Sequence, residues 1–178
     1  MNTQEIIEKY YRKDSELYTI LVNHSTDVMN KALQIADNHP ELKIDKQFVE
    51  EAAMLHDIGI FLTNAPSINC FGVAPYLSHG YLGREILDEL GYFRHGLVCE
   101  RHTGTGLSLK QIVCENLSLP HRDMRPVSIE EQLICFADCF FSKTHLGKEI
   151  SVEKVRQSLD KFGEGSVQQF EKWVAVFL

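Results

Sequence analysis

The chain has 178 residues, 44% of them apolar and 24% charged, with a formal net charge of −7. That length supports one domain with its own hydrophobic core, and no apolar run approaches the roughly 20 residues that cross a bilayer. The acidic balance and the lack of a basic block exclude a large nucleic-acid surface, although bound divalent cations can still draw phosphates to an acidic protein. Helical spacing predicts a short helix over residues 3–12 and a long one from Ser15 to Asn38, whose Leu17, Ile20, Leu21, Val28, Ala32 and Ile35 recur with helical period. Pro40 ends it, and Asp45 caps the next helix, which runs to His56-Asp57 with Gly59 as its left-handed C-terminal residue. Residues 61–77 hold two prolines, a glycine and several turn formers and read as irregular. Further helices are expected near 78–90, 94–102, 108–115, 128–145, 151–161 and 164–177. Alternating strand patterns are almost absent, so the expected architecture is all-α in a single domain spanning 1–178.

The five cysteines, Cys70, Cys99, Cys114, Cys135 and Cys139, form no CxxC, and the N-terminus lacks the apolar stretch of a secretory signal. Both features suit reduced thiols in a cytoplasmic protein. The C-terminal Phe170, Trp173, Val174 and Phe177 share one helical face and are expected to pack on the preceding helices.

Polar residues interrupt the apolar faces at a few positions. His24 follows Ile20 by four and precedes Val28 by four, on the buried stripe of the long helix. Asp138 sits four after Ile134 in "LICFADCFF". His56 and Asp57 lie inside "AAMLHDIGIF". A carboxylate there is expensive to bury without a positive partner, and the last turn of a helix disfavours negative charge further. No lysine lies between Lys46 and Lys110; Arg84, Arg94 and Arg101 are the cations nearest in sequence. One metal ion held by His24, His56, Asp57 and Asp138 would answer all four anomalies, and this ligand mix suits Fe, Mn, Zn, Co or Ni.

The ordered set His24, His56-Asp57 and Asp138 resembles the H…HD…D signature of the HD-domain superfamily, and "HDIG" at 56–59 is similar to the HDIG subgroup of its metal-dependent phosphohydrolases. The resemblance covers about residues 20–145. "HGYLGREIL" at 79–87, "ERHTGTGLS" at 100–108 and "ICFADCFFSKT" at 134–144 resemble the segments that supply the remaining ligands. By this resemblance the fold is a helical bundle with a metal site in its core. His24, His56, Asp57 and Asp138 hold a first divalent ion, and Asp57 bridges to a second completed by His79 and His102. Asp57, His79 and His102 are then the catalytic set. His95, two turns before His102, is a rival for ligation or a supporting partner, and His39, His121 and His145 read as solvent-facing or loop residues.

The implied reaction is hydrolysis of a phosphate ester or anhydride by a metal-bridging hydroxide, with a small phosphorylated compound, foremost a nucleotide, as substrate. The chain lacks both a Walker A loop and a G-x-S-x-G nucleophile elbow. Many relatives with phosphoanhydride substrates carry a lysine just after the HDIG segment, where this chain has Ile60. Arg84, Arg101, Arg122 and Arg125 are the candidates to take over its phosphate contact, the last two from "LPHRDMRP" at 119–126, a connector able to fold over the site. Two alternatives share the ligand set: a mixed-valent di-iron oxygenase of the same superfamily and a non-catalytic metal- or nucleotide-binding module.

Overall fold

Polar caps set most of the helix starts. In the computed structural model, which describes residues 1–178 apart from the side chain of Glu164, Asn2, Ser15, Asp45, Ser108, Ser128 and Ser151 each accept a backbone N–H from the first turn of the following helix. Each cap satisfies a donor that the helix geometry would leave orphaned. The helices are α1 (Thr3–Tyr10), α2 (Glu16–Asn38), α3 (Lys46–Leu55), α4 (His79–Glu89), α5 (Phe93–Arg101), α6 (Leu109–Cys114), α7 (Ile129–Asp138), α8 (Val152–Asp160) and α9 (Glu164–Phe177). The architecture is all-α. Among the described residues, no helix is long and apolar enough to cross a membrane. The five cysteines are free, and only Cys114 is exposed.

Three local expectations are corrected. Residues 61–77 contain a small sheet, with β1 (Thr63–Ala65) antiparallel to β2 (Cys70–Phe71) and parallel to β3 (Ala74–Pro75). Strands this short carry no readable alternation. The helix expected over 128–145 stops at Asp138, because Phe140 and Phe141 turn their N–H groups to the carbonyls three residues back. The chain then folds back onto α2, where Gly147 N–H meets the Asp27 carboxylate at 3.0 Å and Lys31 pairs with Glu149 at 2.6 Å. Finally, Gly59 is not a left-handed cap: its φ is −84°. It is needed small for another reason. A Cβ there would lie 2.3 Å from the His79 carbonyl oxygen and 2.5 Å from Gly83 N, so only glycine lets α4 come this close to the 56–59 turn.

Two large apolar clusters and a small one around Ile112, Leu119 and Met124 form the core. One gathers Val28, Ala32, Val49, Ala52, Leu133 and Phe136 with Phe170, Trp173 and Phe177 of α9. Phe170 stacks on Phe136 at 5.3 Å, and the Trp173 indole donates to Gln132. The second gathers Ile7 of α1, Leu21, Leu55, Ile58, Ile60 and Leu87. The seam between them runs through the polar residues already singled out. His24 lies on α2 between Leu21 of one cluster and Val28 of the other; His56-Asp57 is flanked by Leu55 and Ile58 of the second cluster, with Ala53 of the first, three residues before His56.

Candidate metal centre

Helix ends bring the histidines to the seam. His56 follows α3, His102 follows α5, and His79 closes the 3₁₀ turn Tyr76–Ser78 as it opens α4. The last carbonyls of a helix lack partners. At His56 and His102 the ring uses one, Nδ1 donating to the carbonyl three residues back at 2.6 Å to Ala53 and 2.7 Å to Cys99; His79 Nδ1 likewise reaches the Tyr76 carbonyl at 2.7 Å, which also accepts the His79 backbone N–H. That bond fixes the ring and turns its Nε2 into the seam.

The Nε2 atoms converge on Asp57, which is fully buried. Its Oδ2 lies 3.2 Å from His24 Nε2 and 3.1 Å from His56 Nε2. Asp138 Oδ1 closes the same group, 2.9 Å and 3.5 Å from those two nitrogens. On the other side, Asp57 Oδ1 lies 3.4 Å from both His79 Nε2 and His102 Nε2, which are 3.0 Å apart. The six side chains expected to share one centre are therefore brought together, in two groups joined by one carboxylate.

The residues fit a metal. Both His24 ring nitrogens, His56 Nε2 and both Asp57 oxygens are buried without a hydrogen-bond partner. Close approach without hydrogen-bond geometry is what ligands around a shared ion show: two atoms each about 2.0–2.2 Å from an ion, at right angles, stand about 3 Å apart. His24, His56 and Asp138, and again His56, Asp57 and His102, each offer ligand atoms close enough together to hold one cation. Neutral imidazole and carboxylate suit a first-row divalent ion.

The charge balance is uneven across the site. Burial favours neutral carboxyls, but Lys143 and the histidines outweigh it and hold Asp57 and Asp138 well below the usual carboxylate range. Burial opposes a charge on His56 as well, yet Asp57 and Asp138 raise its pKa to about 10. For His79, burial and then His102 prevail over Asp57, and the pKa falls to about 3.

The sequence search missed Lys143. Its Nζ lies 2.6 Å from Asp57 Oδ2, an ion pair rather than a well-directed hydrogen bond, and its side chain is 12% exposed. The cations nearest to Asp57 in sequence do not include it. Lys143 comes from beyond α7, and it reaches the site because that helix ends at Asp138. The usable signal was the position of the lysine five residues after Asp138.

The other candidates sit elsewhere. Arg84 and Arg122 both grip the buried Glu100, the second through Nε at 2.7 Å. Arg101 pairs with Glu131 at 2.9 Å and Arg125 with Asp123 at 2.6 Å. The 119–126 connector is tied down by Arg122 and by a bridge between Leu107 and Met124. His95 points to Glu51, at 3.4 Å, and packs on Phe48 and Tyr92. His121 and His145 are exposed, and His39 pairs with Glu41.

Residues 21–143 match the family model described as HD domain. The chain belongs to the HD-domain family. Similar proteins include an uncharacterized protein of Methanocaldococcus jannaschii, 29% identical over 144 residues that make up 79% of this chain and 76% of that one. Two more are tRNA (cytidine(56)-2'-O)-methyltransferases. The protein of Picrophilus torridus is 29% identical over 80% of this chain and that of Thermoplasma volcanium 28% over 89%. The chain spans only 36% and 40% of their lengths. No solved structure matches the chain. The HD-domain match closes at Lys143, so it takes in the whole seam cluster and the lysine that faces it.

Proposed function

We propose that this HD-domain protein is a metal-dependent phosphohydrolase that acts on a small phosphorylated compound, with nucleotides among the candidates. The observation that supports this reading most is the buried Asp57 carboxylate, each oxygen turned to a different pair of histidines and one of them also facing the Lys143 ammonium. His24, His56, Asp57 and Asp138 would hold one divalent ion, and Asp57, His79 and His102 a second. Bound ions supply Lewis-acid neutralisation of phosphoryl charge and acidify a water to near-neutral pKa.

The rest is the work of the chain. Carbonyl bonds to the Nδ1 atoms of His56, His79 and His102 hold the rings in place before substrate arrives, so little reorganisation is left for the reaction. Burial of the cluster between two apolar cores lowers the local dielectric and strengthens every charge interaction at the phosphoryl group. Methyl transfer, named for two relatives of which this chain spans little more than a third, is not carried over. A cluster of imidazole and carboxylate ligands is chemistry for a cation rather than for a methyl donor.

The test is metal analysis of protein purified without chelator, followed by phosphate release from a panel of phosphorylated metabolites with Mn-, Fe- and Zn-loaded protein. We expect bound metal and turnover, and loss of both in His24→Ala and Asp138→Asn with the fold retained. Oxygen uptake by the iron-loaded protein without phosphate release from any substrate would move the assignment to the oxygenase branch. Metal binding without turnover of either kind would make it a binding module.

A further inference from the structure

A pocket of about 240 Å³ lies directly beside the metal centre. Ser67, Ile68, Tyr76, Ser142, Lys143 and Thr144 line it. Two of these residues also touch the cluster: Tyr76 stacks on the His79 ring at 4.7 Å, and Lys143 Nζ sits 2.6 Å from Asp57 Oδ2. The pocket and the centre thus share a wall. We propose that Lys143 is the anchor for the substrate phosphoryl group and that this pocket admits a phosphomonoester of a small polar alcohol. The inference rests on the phosphohydrolase reading and narrows its substrate class.

Three observations carry it. The first is competition for Asp57. One carboxylate oxygen faces the ammonium and two imidazoles together. A divalent ion on that oxygen removes the lysine's partner and repels its charge. The space open to the freed ammonium is the pocket whose wall it already forms, and a phosphoryl dianion bound there restores the pairing with a charge-assisted hydrogen bond.

The second is the number of free cations. Arg84, Arg101, Arg122 and Arg125 are all committed to carboxylates. One ammonium suits one phosphoryl group, whereas a triphosphate or a dinucleotide polyphosphate brings several negative charges to the same wall.

The third is size and polarity. The pocket falls below the usual range of about 300–1,000 Å³ for small-molecule sites. Its rim carries hydroxyls: Ser142 Oγ and Thr144 Oγ1 lie 2.9 Å apart and share a hydrogen bond, and Ser67 is exposed. Hydroxyls exchange hydrogen bonds with a polyol or with phosphate oxygens equally well.

The experiment uses Mn-loaded protein, with calorimetric binding of inorganic phosphate and of glycerol 3-phosphate, and metal affinity measured separately. Lys143→Met should weaken both anions by at least about tenfold, the scale of one lost charge-assisted contact, and should bind the metal more tightly because the competing ammonium is gone. Lys143→Arg should largely keep anion binding. Ser67→Tyr, at the exposed rim, leaves the ion pair intact; it should weaken glycerol 3-phosphate while sparing inorganic phosphate. Unchanged anion binding and unchanged metal affinity in Lys143→Met overturn the anchor. Unchanged glycerol 3-phosphate binding in Ser67→Tyr overturns the pocket, even if the lysine variant misfolds. Turnover of polyphosphates but not of monoesters by the wild type overturns the substrate class and leaves the phosphohydrolase reading standing. Absence of phosphate release from every class defeats that reading itself.

Discussion

His56 and His79 sit on the same carboxylate and titrate in opposite directions, one up to about 10 and the other down to about 3. At neutral pH the metal-free protein therefore carries a proton on His56 and none on His79. An ion that takes His56 Nε2 must displace that proton. Calorimetric metal titrations at pH 7, in two buffers of different ionisation enthalpy, should show proton release that disappears in His56→Ala. Stability follows the same sign. The folded pKa of His56 lies above the ordinary value of about 6.5, so its contribution is complete below that pH and is lost as pH rises through about 10. The urea midpoint of metal-free protein should fall between pH 7 and pH 10, and His56→Gln should flatten the fall; a flat wild-type profile would mean that His56 holds no proton there. His24, His56, Asp57 and Asp138 were legible in the sequence because each breaks an apolar pattern. Lys143 was not, since a flexible stem in an ordinary loop breaks no pattern.

Among the elements, α4 tolerates little displacement, because it meets the 56–59 turn backbone to backbone. A methyl at Gly59 would strike the His79 carbonyl and Gly83 N, and neither can rotate away. Gly59→Ala should push α4 outward, cost about 1–3 kcal/mol as overpacking does, and move His79, the first residue of α4, off Asp57 Oδ1. The checks are the urea midpoint and metal stoichiometry. We expect a lower midpoint and a loss confined to the ion that His79 helps to hold. A wild-type midpoint with full metal content would show that α4 does not depend on the glycine. Helix starts were readable because Ser15 and Asp45 announce their caps chemically. The β1–β3 sheet was hidden because its strands are two or three residues long, and the end of α7 because Cys139, Phe140 and Phe141 continue its apolar composition although the N–H groups of the two phenylalanines bond three residues back rather than four.

Across the whole molecule, the candidate ligands come from α2, α7 and the ends or starts of α3, α4 and α5, so an ion at the seam would tie together the elements that carry both apolar clusters. Metal binding is then folding free energy. Ligand at 100 times its Kd adds about 2.7 kcal/mol, and a chain of this length gains about 2–4 °C per kcal/mol, so Mn or Zn should raise the melting temperature of chelator-stripped protein by about 5–10 °C. The ligands differ in reach. His24 and Asp138 bring in the only contributions from α2 and α7, so His24→Ala should abolish most of the rise. His79→Ala leaves His24, His56, Asp57 and Asp138 intact and should keep a substantial part of it. Equal losses in the two variants would mean that the two groups of ligands cannot be occupied separately. A full rise in His24→Ala would mean that the stabilising ion does not sit at the seam.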